Sequence, residues 1–201
     1  MNSVTIATGF TPDYAVYKDR LERSCRAFDV PFRAVPLESR GLWRRNNALK
    51  PSVIRSVMLA IEGDCLWLDA DCILTKRPEL GDIRADVSFT STRHWRGGRI
   101  VKVPDPETFF NFETGREEPN EGGRVVTPWA GWLLCRYSEG VLEMLAKWEL
   151  LCEQYEDITG DEQCLRLALE FSPGVSTGEL LNDFADHVPV GRSHGKPNGY
   201  I

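Results

Sequence analysis

Asp69 and Asp71 stand two residues apart at the end of the apolar run Cys65-Leu66-Trp67-Leu68. Two carboxylates after so apolar a segment are costly to bury unless a cation or hydrogen bonds offset their charge. Hard divalent cations such as Mg²⁺ and Mn²⁺ take oxygen ligands, commonly one or two carboxylates together with substrate phosphates. The pair therefore marks a candidate cation site. The plainer alternative is a solvated turn, because D-x-D is common by chance.

Other residues have chemical potential of their own. Gly160 precedes Asp161-Glu162-Gln163, an acidic first turn that suits the positive end of a helix and could equally point carboxylates at a substrate. His194 and Lys196 lie in a Gly- and Pro-rich tail, and Arg93, Arg96, Arg99 and Lys102 form one basic stretch. Six cysteines show no C-x-x-C spacing and fall mostly in apolar runs, which favours buried thiols over a zinc knuckle or disulfides. A net charge of −6 argues mildly against nucleic acid as an obligatory partner.

The elements that must position these groups follow from periodicity. Residues 3–8 form a short β-branched run ending at Gly9, a first strand. Helical spacing covers 14–28, a second strand 32–37, and a helix 46–61 with Pro51 in its first turn. Residues 64–68 form a strand that runs into the aspartate pair. This alternation builds a mostly parallel sheet with helices on both faces, and ligands bind such sheets at the carboxyl ends of the strands. Two of those ends carry Thr8-Gly9 and Asp69-Ala70-Asp71.

Beyond residue 76 the pattern is less regular. Strands are expected at 87–91 and 132–135, a basic loop at 94–99 with a short run at 100–103, and a long surface loop over 104–124. Helices are expected at 139–155 and 161–169, and the tail 188–201 reads as irregular. At 201 residues the chain has the size of one domain, able to bury roughly 70% of its unfolded surface. No apolar run approaches the ~20 residues needed to span a bilayer, and no secretory signal is visible, so a cytoplasmic location is expected.

The segment Asn46-Asn47-Ala48-Leu49-Lys50-Pro51, a helix, and then Leu66-Trp67-Leu68-Asp69-Ala70-Asp71 resembles the core of GT-A glycosyltransferases, especially the glycogenin and lipopolysaccharide-galactosyltransferase group. Three further segments follow the same order. Trp129-Ala130-Gly131-Trp132-Leu133-Leu134 resembles the strand beside the donor sugar, with tryptophan in place of asparagine. Gly160-Asp161-Glu162-Gln163 resembles the acidic helix start facing the sugar. Ser193-His194-Gly195-Lys196-Pro197 resembles a compressed form of the C-terminal histidine–lysine element.

The resemblance implies one GT-A domain over 1–201, with a nucleotide-binding half at about 1–75 and an acceptor and catalytic half at about 76–201. It implies a hexosyltransferase-like enzyme taking a nucleotide-sugar donor, by preference a UDP-sugar, with Mn²⁺ or Mg²⁺ as cofactor. Asp69, Asp71 and His194 would be the metal ligands. Thr8, Gly9, Phe10, Lys50, Ala70, Gly131 and Lys196 would line the donor site, and Asp161 and Glu162 would serve catalysis. The acceptor stays open among glycan, protein, lipid and nucleic acid. Alternatives are a catalytically silent nucleotide-sugar-binding module and a haloacid-dehalogenase-type phosphatase with Asp69 as nucleophile. The phosphatase pattern wants a second aspartate where Leu165 stands. A sugar-1-phosphate nucleotidyltransferase would need a Gly-rich loop with an arginine after the first strand, and Thr8-Gly9-Phe10-Thr11-Pro12 has none.

Overall fold

A computed structural model describes residues 4–91, 93–96, 99–102, 108–121, 128–180 and 183–188. Six strands form the main sheet: β1 (Thr5–Phe10), β2 (Phe32–Pro36), β3 (Cys65–Leu68), β5 (Val87–Ser91), β10 (Pro128–Cys135) and β11 (Thr177–Glu179). Their order across the sheet is β11-β5-β10-β3-β1-β2. β1 runs parallel to β2 and β3, and β11 parallel to β5, while β10 is antiparallel to both its neighbours. This is the mixed, mostly parallel α/β sheet flanked by helices that the alternation predicted.

The central strands β3 and β10 are apolar along almost their whole length because helices cover both faces. Successive side chains point to opposite sides. Ala7, Cys65, Trp67, Leu133 and Cys135 enter one core with Ile54 and Met58 of α3 (Lys50–Ile61), Val141 and Trp148 of α4 (Glu139–Tyr155) and Leu165 of α5 (Asp161–Glu170). Ile6, Leu66, Leu68, Trp132 and Leu134 enter the other, with Leu21 and Cys25 of α1 (Ala15–Ala27) and Phe184. All six cysteines are buried and free.

Several boundaries differ from expectation. The first strand continues through Gly9 to Phe10, because its backbone stays in register with β2 as far as Pro36. The helix expected over 46–61 is two: α2 (Trp43–Asn47) ends before α3 begins, since Pro51 fits only the first turn of a new helix. The basic loop is a backbone hairpin, β6 (Arg93–Arg96) with β7 (Arg99–Lys102). Within the expected loop 104–124 lies a second hairpin, β8 (Thr108–Asn111) with β9 (Arg116–Pro119). It docks through Arg166 of α5, whose guanidinium donates to Phe110 O at 3.0 Å and lies over the Phe109 and Phe112 rings. Sequence reading also missed the short pair β4 (Cys72–Leu74) and β12 (Ala185–His187). Among the described residues no helix is long and apolar enough to cross a membrane.

Candidate active site

Since β1, β2 and β3 are parallel, their carboxyl ends share one edge of the sheet. β3 delivers Asp69 there. Its backbone N–H donates to Gly131 O at 3.0 Å, which fixes the turn against β10. Its Oδ1 accepts from Trp67 Nε1 at 3.1 Å and lies 3.1 Å from Lys50 Nζ. The same ammonium stands 3.1 Å from Asp161 Oδ2. One buried cation thus joins two carboxylates that the sequence reading assigned to separate roles.

The three groups are held by regular structure. Lys50 and Asp161 are each the first residue of a helix, α3 and α5, and Trp148 Nε1 of α4 donates to Asp161 O at 2.8 Å. Burial lowers the Lys50 value, but Asp161 and Asp69 outweigh that and hold it well above the ordinary lysine value. Burial raises the Asp161 carboxyl, with Lys50 pulling the other way. Half-buried Glu162 is pushed up to about 8 by burial and by the Asp161 charge.

Asp71 faces a different group. Its Oδ1 lies 3.4 Å from His187 Nδ1, and its carbonyl accepts from Val188 N–H at 2.7 Å. His187 pairs with Cys72 across the β4–β12 ladder and stacks on the Trp132 ring at 5.4 Å. Burial opposes charge on this imidazole, yet its neighbours raise it above the ordinary histidine value. Burial also keeps Cys72 above the ordinary thiol value. The neighbours that raise the imidazole are Cys72 first and then Asp71.

The remaining candidates are distributed unevenly. Gly131 sits directly against the site: a Cβ there would meet the Trp129 ring at 2.7 Å and Asp69 Oδ2 at 3.2 Å. Ala70 is buried. Gly9 packs against Leu37 and Trp67, and Phe10 is partly exposed beneath the Lys18 ammonium. Thr8 is fully enclosed, and its hydroxyl has no hydrogen-bond partner among the described residues. His194 and Lys196 lie outside the described residues.

Sequence reasoning missed Tyr14 and His187. Tyr14 is raised to about 12 by burial and then by Asp71, Asp13 and Asp69, which puts one phenol within electrostatic reach of both aspartates of the pair. It closes the short 3-10 helix Pro12–Tyr14 after the first strand, whereas the helical spacing placed it at the start of a helix over 14–28. His187 stands 115 residues from Cys72, and no spacing rule connects them. The premise that the two aspartates need an external cation also changes. Asp69 has Lys50, shared with Asp161, and Trp67, and Asp71 has His187, so each aspartate has a partner within the protein while the net charge of the group leaves room for a cation.

No family model matches the chain, and no curated protein matches it by sequence. Among solved structures it is similar to the crystal structure of a glycosyltransferase involved in the glycosylation of the major capsid of PBCV-1. The two share 15% sequence identity with a TM-score of 0.58, covering 89% of this chain and 82% of that one. The likeness at this identity is one of fold, and the fold is one that a glycosyltransferase uses.

Proposed function

We propose that this chain is a glycosyltransferase that takes its sugar from a nucleoside diphosphate donor, a UDP-sugar by preference, with Mn²⁺ or Mg²⁺. The observation that carries the reading is the meeting of Lys50, Asp69 and Asp161 at the carboxyl edge of the parallel strands. That edge is where sheets of this kind bind ligands, and the fold is shared with a glycosyltransferase.

The donor atoms suit a hard cation. Asp69 Oδ1 is taken by Lys50 and Trp67, which leaves Oδ2, beside Gly131, on a carboxylate that is 27% exposed. Asp71 supplies a second oxygen donor, and His194 remains the third candidate ligand. A cation bound there supplies neutralisation of the diphosphate and of the charge that develops on the leaving group.

The chain's own residues divide the remaining work. Lys50 fixes the positions of Asp69 and Asp161 and keeps its charge throughout, since two carboxylates flank it. Asp161 faces the same ammonium from the other side and, with its side chain only 4% exposed, serves the donor site by holding Lys50 in place. Glu162, raised to about 8, would in its ionised form accept the proton that an acceptor hydroxyl gives up as it attacks the sugar, so this role strengthens as the pH rises toward that value. The acceptor class, whether glycan, protein, lipid or nucleic acid, is set outside these groups.

The test is calorimetric titration of UDP with and without Mn²⁺, followed by a screen of nucleotide sugars for slow donor hydrolysis. The reading expects Mn²⁺-dependent UDP binding and hydrolysis of at least one donor. Binding with no turnover of any donor favours the silent module. No binding in either condition overturns the assignment.

A further inference from the structure

Asp71, Cys72 and His187 bring one carboxylate oxygen, one sulfur and one ring nitrogen within 4.8 Å of one another. We propose that these three residues form a zinc-class site, distinct in chemistry from the hard-cation site read at the aspartate pair.

One of the three donor separations already has the length a tetrahedral centre requires. Zn–N and Zn–O bonds of about 2.0–2.2 Å put tetrahedral nitrogen and oxygen ligands roughly 3.4 Å apart, and a Zn–S bond of about 2.3 Å puts sulfur and nitrogen roughly 3.6 Å apart. His187 Nδ1 is 3.4 Å from Asp71 Oδ1 and 3.9 Å from Cys72 Sγ. The sulfur lies 3.9 Å from Nε2 as well, so closing the set takes a rotation of the imidazole that turns one nitrogen toward the metal, with all three donor atoms already within 4.8 Å of one another.

The ligands are held in place by the surrounding structure. Antiparallel register sets His187 opposite Cys72. Trp132 Nε1 donates to Cys72 Sγ at 3.1 Å, and the Trp132 ring stacks on His187, so one residue orients two ligands. Hydrogen bonds and packing of this kind around ligands set the affinity of metal sites. The Val188 N–H on the Asp71 carbonyl fixes the third.

The donor set chooses the metal. A thiol sulfur and an imidazole suit Zn²⁺ and its analogue Co²⁺, whereas Mg²⁺ and Mn²⁺ favour sites made of oxygen. Binding displaces the proton of the Cys72 S–H, and that of any imidazolium, into solvent. Three protein ligands leave the fourth tetrahedral position for water or an anionic oxygen. Because Asp71 is common to both sets, zinc and the hard cation compete for it.

The experiment titrates Co²⁺ alone into the full chain and follows the near-ultraviolet thiolate-to-cobalt charge-transfer band, with displacement by Zn²⁺. The expected result is one equivalent of Co²⁺ with that band, loss of the band in Cys72→Ser, and roughly 100-fold weaker binding in His187→Asn. That magnitude takes the upper end of the cost of losing a supporting residue as the least that losing a ligand should cost. Circular dichroism confirms that each variant is folded, and the two substitutions give independent readings should one of them fail. Absence of the band, or an unchanged band in a folded Cys72→Ser, overturns the proposal. No nucleotide enters the experiment. Failure here with intact Mn²⁺-dependent UDP binding leaves the glycosyltransferase reading standing, and the reverse result separates the two as clearly.

Discussion

Lys50 Nζ lies 3.1 Å from Asp161 Oδ2, and the two side chains keep only 8% and 4% of their surface exposed. The pair ties the first turn of α3 to the first turn of α5, with Asp69 of the β3 end as third member. Lysine at a helix start opposes the helix dipole, whereas aspartate there is favoured. Its place at that position is explained by the two carboxylates it meets.

Removing that cation strands two carboxylates. Lys50→Met is expected to destabilise the fold by about 3–5 kcal/mol, the cost of breaking a buried pair from one side. Lys50→Met with Asp161→Asn should recover part of the loss, since the second change neutralises the stranded charge. Urea unfolding of both variants and of Asp161→Asn completes the cycle. Additive effects would show that the two groups do not interact.

Gly131 is required by space. A methyl group there would sit 2.7 Å and 2.8 Å from two atoms of the Trp129 ring and 3.2 Å from Asp69 Oδ2. Gly131→Ala is expected to cost about 1–3 kcal/mol through overpacking and to weaken Mn²⁺-dependent UDP binding by moving Asp69. Gly9→Ala is the useful contrast. Its nearest neighbour is the terminal methyl of Leu37 at 2.9 Å, which a rotamer change can move, so a smaller loss is expected. Equal stability of wild type and Gly131→Ala would contradict the crowding argument.

Asp69→Asn keeps the shape of the side chain and leaves Lys50 paired with Asp161. The fold should persist while Mn²⁺-dependent UDP affinity falls at least tenfold, the loss expected where a direct ligand exceeds the weakest effect of a supporting residue. Asp71→Asn should behave alike. Calorimetry with and without Mn²⁺ decides, and wild-type affinity in both folded variants would remove the aspartate pair from donor binding.

What could be read in advance was whatever is local or periodic. The apolar run Cys65–Leu68 with its acidic end, and the stripe that makes α4, both carry period and composition in a single stretch. The position of Asp161 at a helix start was visible for the same reason. Lys50 was assigned to the donor site by family likeness, but its contact with Asp161 depends on how α3 and α5 pack beside the sheet. His187 was unreadable: β12 has three residues, too few for a period, and its meaning comes from pairing with β4. The hairpin β8–β9 was hidden by a strand, Arg116–Pro119, whose polar residues give no alternation. It is held by Arg166 and a group of aromatic rings from distant positions.

Glu162 makes stability depend on pH. Its carboxyl is raised from an ordinary 4.5 to about 8, first by burial and then by the Asp161 charge. In the folded chain it stays neutral up to about pH 8, while in the unfolded chain it ionises above about pH 4.5. The stability it contributes is therefore complete below pH 4.5 and is lost progressively as the pH climbs through the interval to 8. Asp161 is raised as well and acts in the same direction, but it is present in both proteins under comparison. Glu162→Gln replaces the titrating group with a neutral one of the same shape. Its unfolding midpoint, relative to wild type, should rise steadily from about pH 5 to about pH 8 and then level off. Thermal unfolding at unit steps of pH measures this, and a constant difference across the range would show that Glu162 ionises as freely in the fold as in the open chain.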